Sequence, residues 1–298
     1  MTSTRSIGKF KYIKPVSLNE TLRILKNAGN HARIMAGGTD LVLQIKQGQI
    51  FPSSVIDVKD VPELNRLEWS KTRGLRIGAA VPLSKLLAFT AIPERYGILA
   101  QACSVIGSMQ IRNRGTVGGN ICNAAPSADS APALLCLGAK VIVTSSAGTR
   151  TVDLGDFFIA PGKTCLGADE LLIEIDVPTP PARSAGCYLR HTTREEMDIA
   201  IAGVASFIIL SPGSKKPKDV RIALGAVAPT PLRAHSAEAL LIGKSITEKN
   251  IEAVADEAAK EAKPISDMRA STEYRREIVK VLTRRTLQKS CEMLGIEI

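Results

Sequence analysis

The chain has 298 residues, 45% of them hydrophobic and 23% charged, with a net charge of +10. That length and balance suggest a soluble globular protein of two or three domains. Apolar runs such as Ile199 to Leu210 are too short to cross a bilayer, and Met1 to Lys11 lacks the apolar segment of a secretory signal.

The positive charge is scattered, apart from Lys215, Lys216 and Lys218 and the C-terminal arginines. Aromatic residues are only 4% and do not interleave with basic ones, so the charge reads as a solvated face rather than a nucleic-acid site.

Residues 1–60 read as a first α/β unit. Ser17 and Glu20 have the spacing of a capping box, and Leu18, Leu22 and Leu25 then predict a helix face. A strand ends at Met35 and Ala36 and runs into Gly37-Gly38-Thr39-Asp40. Leu41 and Ile45 follow with helical spacing. Strand, glycine turn and helix start form the geometry in which backbone amides and a hydroxyl, here Thr39, face a phosphate. A side chain at Gly38 would then enter the space of that phosphate. Val55 to Val58 predicts a buried strand, and Pro62 marks the junction to the next unit.

Residues 61–175 read as a second, α+β unit. Gly74 to Gly78 predicts a strand and Pro82 to Phe89 a short helix. Glu94 to Ile106 predicts a longer helix, with Ile98, Leu99, Ala102 and Ile106 inward and Gly107 as its C-cap. Then comes a glycine-rich stretch in which Gly115, Gly118 and Gly119 follow Arg112, Asn113 and Arg114. Successive glycine amides can form a concave anion nest. Ala131 to Leu137 predicts a short helix with Ser130 as N-cap and Pro132 in its first turn. Strands are expected at Lys140 to Thr144 and Leu171 to Val177, the second stopped by Pro178, Pro180 and Pro181.

Residues 176–298 predict a small antiparallel sheet from Ala185 to Arg190, Val204 to Leu210 and Val220 to Val227. Two helices follow, Ile251 to Ala262 and Ser271 to Leu294, the latter with Tyr274, Ile278, Val281, Leu282 and Leu287 along one face. Strands followed by helices indicate α+β.

The chain offers little bond-making chemistry of its own. His31, His191 and His235 are isolated, and no Ser–His–Asp order stands out. The six cysteines include no Cys-x-x-Cys pair, so neither zinc nor an iron–sulfur cluster is expected, and reduced thiols in a cytoplasmic protein are. Neither glycine motif is Gly-x-Gly-x-x-Gly or a P-loop, so nucleotide binding would take a non-Rossmann route. Any two-electron chemistry would have to come from a bound organic cofactor.

The pair Ala36-Gly37-Gly38-Thr39-Asp40 and Ile111-Arg112-Asn113-x-Gly115-Thr116-x-Gly118-Gly119-Asn120 resembles the FAD-binding medium subunit of molybdenum hydroxylases, the carbon monoxide dehydrogenase and xanthine dehydrogenase type. The likeness continues through Asp169 to Leu172 and Arg194-x-x-x-Asp198-Ile199-Ala200. It ends in Asp267-x-Arg269-x-Ser271-x-x-Tyr274-Arg275, which is similar to that family's C-terminal signature. One branch of the family carries a cysteine-rich insertion for an extra cluster, which this sequence lacks.

The resemblance implies the two-part FAD-binding fold of the vanillyl-alcohol oxidase type, followed by a C-terminal domain of small antiparallel sheet plus helices. Met35 to Leu41 would cradle the FAD pyrophosphate from one side, and Thr116, Gly118, Gly119, Asn120 and Ile121 from the other. Asp129 would hydrogen-bond the ribose or adenosine end, and Leu171 or Leu172 would pack on the isoalloxazine ring. Arg190 stands where the family often has a lysine near that ring, and Asp198 would orient Arg190 or Arg194. The implied partners are a large subunit with a molybdopterin-type molybdenum cofactor and a small subunit with two 2Fe-2S clusters, in a heterotrimer or its dimer that passes electrons to an external acceptor. The alternative is a stand-alone FAD-dependent reductase of the UDP-N-acetylenolpyruvoylglucosamine reductase type, which would need a substrate cleft and a proton donor.

Overall fold

The computed structural model describes residues 8–298; residues 1–7, with most of the stretch read above for a secretory signal, lie outside it. Three sheets of more than two strands follow one another along the chain.

The first sheet is parallel, in the order β1 (Lys11–Ile13), β3 (Ser54–Asp57), β2 (Ala32–Met35). Helix α1 (Leu18–Ala28) connects β1 to β2 and α2 (Leu41–Lys46) connects β2 to β3. The Ser17 hydroxyl caps α1 by accepting from the Glu20 amide, and Glu20 returns a bond to the amide of Val16. Buried Leu22 and Leu25 turn to the core. β3 is buried throughout, whereas β2 is an edge strand with Arg33 exposed.

The second sheet begins with β4 (Leu67–Ser70) and β5 (Gly74–Gly78). Five helices separate these from the rest: α3 (Leu83–Leu87), α4 (Ala91–Arg95), α5 (Gly97–Ser104), α6 (Met109–Arg112) and α7 (Val117–Asn123). A sixth, α8 (Ser130–Leu137), precedes β6 (Lys140–Ser145) and β7 (Gly148–Asp153). After α9 (Leu154–Phe157) and the hairpin of β8 (Phe158–Ala160) with β9 (Lys163–Thr164), β10 (Leu171–Val177) enters the middle of the sheet, in the order β4-β5-β10-β6-β7.

Two expectations change here. The helix expected from Glu94 to Ile106 is two helices broken at Tyr96, whose φ of −120° and ψ of 39° are not helical; the Tyr96 side chain is fully buried at the break. Ser130 is not a cap but the first residue of α8. Asp129 stands at the cap position without a capping bond, and the Ser130 hydroxyl is turned to Asn120.

The third sheet is antiparallel, β11 (Ser184–His191), β12 (Ala202–Leu210), β13 (Pro217–Gly225) and β14 (Leu232–Arg233). Helices α10 (His235–Ala239), α11 (Glu248–Glu261) and α12 (Thr272–Met293) follow it. Side chains alternate across a strand, and β12 has apolar matter on both faces. Ala205 and Phe207 join the core shared with the second sheet, while Val204, Ile208 and Leu210 join the core under α11 and α12.

The buried face of α12 keeps Leu282 and Leu287 of the predicted stripe but is otherwise displaced from it. Arg275, Val279, Leu282, Thr283, Thr286, Leu287, Ser290 and Cys291 are buried, and Tyr274 is exposed. Two of the hydroxyls on that face find partners: Thr286 bonds Ser206 at 2.6 Å and Ser290 donates to the Thr286 carbonyl at 2.8 Å, whereas the Thr283 hydroxyl is buried without one.

Candidate functional site

The two glycine loops meet. A β-carbon on Gly37 would lie 2.7 Å from the Gly115 Cα and closer still to the Arg114 carbonyl oxygen. Only glycine allows this approach of one backbone to another. Gly38 has a φ of +77°, a conformation that side chains rarely adopt. Its absent β-carbon points at the Met35 thioether, 3.0 Å away, and not into open space. The turn itself therefore requires glycine at 38, and the protein atom its side chain would meet first is the Met35 sulfur.

What the first loop offers a ligand is its amides. Gly37, Gly38, Thr39 and Asp40 donate no backbone hydrogen bond to any partner among the described residues. Four consecutive free N–H groups at a strand-to-helix turn form a donor set for an anion. Met35 is anchored below them, its carbonyl accepting from the Val58 amide at 3.0 Å. Ala36 and Leu41 flank the turn, both partly exposed.

The second loop is held from within. The Thr116 hydroxyl accepts from the Gly119 amide at 2.9 Å and so caps α7. This N-cap contributes about 1 kcal/mol. Gly118 sits flat on Ala79, where a β-carbon would be 2.7 Å from the Ala79 Cα. Ile121 is fully buried beneath the helix. Arg112 does not face the glycines; its guanidinium turns back to donate to the carbonyl of Ile106 at 3.1 Å.

The other expected residues connect to this loop. Leu172 is buried in β10, opposite Val143, and a bulge follows it. The next carbonyl, of Ile173, accepts from the Ala79 amide at 3.0 Å, so the strand abuts the residue under Gly118. Asn120 accepts from the Ser130 hydroxyl at 2.7 Å, which brings in the start of α8 and Asp129. Asp129 binds Arg190 Nη1 through Oδ2 at 2.8 Å and the Tyr188 hydroxyl through Oδ1 at 2.6 Å. Both charged side chains are under a tenth exposed. Burial pushes the Asp129 carboxyl above its ordinary value, opposed by the charge of Arg190 and the two hydrogen bonds.

Asp198 lies elsewhere. It accepts from the Thr193 hydroxyl and the Arg194 amide and pairs with Arg194, with no bond to Arg190. Arg275, of the C-terminal signature, is buried and donates to the carbonyls of Ile201 and Ala226 and to Asp267. It ties the third sheet to the α11–α12 connection and lines a cleft of about 260 Å³ with Pro126, Ser127, Ile199 and Ala226.

Tyr188 was not singled out from the sequence; its only signal was its place two residues before Arg190, hence on the same strand face. Ala79 gave no signal at all. Among the described residues no group of three or more His, Cys, Asp or Glu could hold a metal, and all six cysteines are unpaired. Nor is any described helix long and apolar enough to cross a membrane. The arrangement can bind an anionic ligand along backbone amides, and it places no nucleophile beside a base.

A family model described as the FAD binding domain in molybdopterin dehydrogenase matches residues 8–180, and one described as the CO dehydrogenase flavoprotein C-terminal domain matches residues 188–290. The chain belongs to the FAD-binding medium subunits of molybdenum hydroxylases. It is 33% identical over 281 residues to the glyceraldehyde dehydrogenase medium chain of Sulfolobus acidocaldarius, covering 94% of this chain and 98% of that one. It is 30% identical over 285 residues to a xanthine dehydrogenase FAD-binding subunit of Escherichia coli, covering 95% and 97%. Carbon monoxide dehydrogenase from Hydrogenophaga pseudoflava superposes with a TM-score of 0.91 at 31% identity, over 95% of this chain and 98% of that one. The fold is thus the family's FAD-binding domain followed by a C-terminal domain with an antiparallel sheet, and the chain is an oxidoreductase subunit.

Proposed function

We infer that the chain carries FAD as the electron-transfer subunit of a molybdenum hydroxylase complex, taking electrons from 2Fe-2S clusters of a partner subunit and delivering them to an external acceptor. The observation that carries this is the contact of the two glycine loops at Gly37 and Arg114, beside the unpartnered amides of Gly37 to Asp40. Those amides, with the Thr39 hydroxyl, suit a pyrophosphate. Met35, Ala36 and Leu41 wall that side, and Thr116, Gly118, Gly119, Asn120 and Ile121 form the other. Leu172 lies toward the ring. Asp129 keeps one lone pair on each oxygen for a hydroxyl, and Arg190 holds Asp129 in place. FAD, once bound, supplies the one- and two-electron chemistry that the chain lacks.

The partners follow from the same reading: a large subunit with the molybdenum cofactor and a small iron–sulfur subunit, in a cytoplasmic heterotrimer or its dimer. The chain divides at about residues 60 and 175, with the first two units forming the cofactor cleft.

The test is gentle purification from the native host. Acid-released FAD, iron–sulfur absorption and two companion chains support the reading. A lone yellow chain that turns over a small substrate with NAD(P)H would replace it with the stand-alone reductase. A colourless chain that cannot be loaded with FAD would refute both.

A further inference from the structure

Tyr188 and Arg190 project from the same face of β11, and between them they take both oxygens of Asp129. A guanidinium has only donors, so Oδ2, at 2.8 Å from Arg190, cannot carry a proton and face that nitrogen. The phenol hydroxyl has one proton to give. At 2.6 Å it gives that proton to Oδ1 while the tyrosine ring is held in a fully packed site. Both oxygens therefore meet donors, an arrangement that favours the ionised carboxylate.

The backbone around Tyr188 is shaped for its hydroxyl. Gly203 on β12 lies opposite Arg190, and a β-carbon on it would be 2.7 Å from the Tyr188 hydroxyl but 3.4 Å from the nearest ring carbons. The missing β-carbon thus makes room for the oxygen and not for the ring. The Tyr188 amide is held in turn by the Gln101 side chain at 2.8 Å.

We propose that Tyr188 is a positioning residue of the flavin site: seated over Gly203, its hydroxyl holds Asp129 as the carboxylate that pairs with Arg190. Arg190 is then one half of a neutral pair, and its charge is spent on Asp129 before any ligand arrives. The other ionisable group facing Asp129 is Cys103 on α5, whose thiol is pushed up to about 12 by burial and stays neutral. The placement at the flavin rests on the functional reading above; the link between Tyr188 and Asp129 does not.

The experiment is a carbon-13 NMR titration of the Asp129 carboxyl in the full chain, in wild type, Tyr188→Phe, Gly203→Ala and the double variant. Tyr188→Phe removes the donor to Oδ1, so the Asp129 midpoint moves to higher pH. Gly203→Ala displaces the hydroxyl and moves the midpoint the same way. Added to Tyr188→Phe, Gly203→Ala has no further effect on the midpoint, because the atom it struck is gone. A purely structural tyrosine would lower thermal stability and leave the midpoint in place, and that result overturns the proposal. Should Tyr188→Phe fail to fold, Gly203→Ala carries the same comparison. Repeating the wild-type titration with FAD separates the two readings. A changed Asp129 response places the pair at the flavin; an unchanged one removes it from there, whatever Tyr188→Phe does.

Discussion

Gly37 touches the backbone of Arg114 so closely that the loop after β2 and the loop between α6 and α7 meet main chain to main chain. Gly37→Ala forces a β-carbon against a carbonyl and a Cα, neither of which can rotate away. It should cost about 2–3 kcal/mol, in the range of an overpacked core site, and part the loops. Thermal unfolding and the FAD content of the purified variant check this; a variant with wild-type stability would show that the contact is loose.

Gly38→Ala should act differently. The strain is conformational, from a φ of +77°, and amounts to about 1–2 kcal/mol. The atom in the way is the end of the Met35 side chain, which can move. FAD retention should fall less than in Gly37→Ala. Equal loss in both variants would mean that the ligand itself fills the space at Gly38.

Thr116→Val keeps the shape of the side chain and removes the oxygen that caps α7. A loss of about 1 kcal/mol in urea unfolding is expected. Thr116→Ser should retain most of it. Val and Ser variants of equal stability would remove the capping argument.

Asp267→Asn leaves the Arg275 guanidinium, 4% exposed, without its counter-charge. The expected loss is about 2 kcal/mol or more. The Arg269 amide and the Arg275 side chain hold the Asp267 carboxyl below its ordinary value of 3.8. A depressed carboxyl stabilises the fold above its unfolded value, and that contribution fades as pH falls through the folded one. The gap between wild type and Asp267→Asn should therefore be full at neutral pH and close below about pH 4. A gap that persists unchanged in acid would assign the effect to shape rather than charge.

Much of the fold was legible because its punctuation is strong. β5 runs from Gly74 to Gly78 and β10 from Leu171 to Val177, as their glycine and proline borders predict. The break at Tyr96 was hidden because Ile98, Leu99 and Ala102 keep helical spacing beyond it. The inner face of α12 was only half legible because Thr286 and Ser290 are buried by hydrogen bonding, which a search for apolar stripes passes over. In the candidate site the glycines were visible, since few residues tolerate such turns. The joining of Asp129 to Arg190 was not, because a contact 61 residues apart in sequence leaves no periodic trace.

The clamp at Gly37 and Arg114 bears on the timing of assembly. A pocket whose walls are already fixed on each other spends little conformational entropy when its occupant arrives. The ordering is done while the chain folds, and release then requires the two loops to part. Such a carrier should lose its occupant slowly, over many turnovers, and behave as a permanent holder rather than as one that exchanges with a free pool.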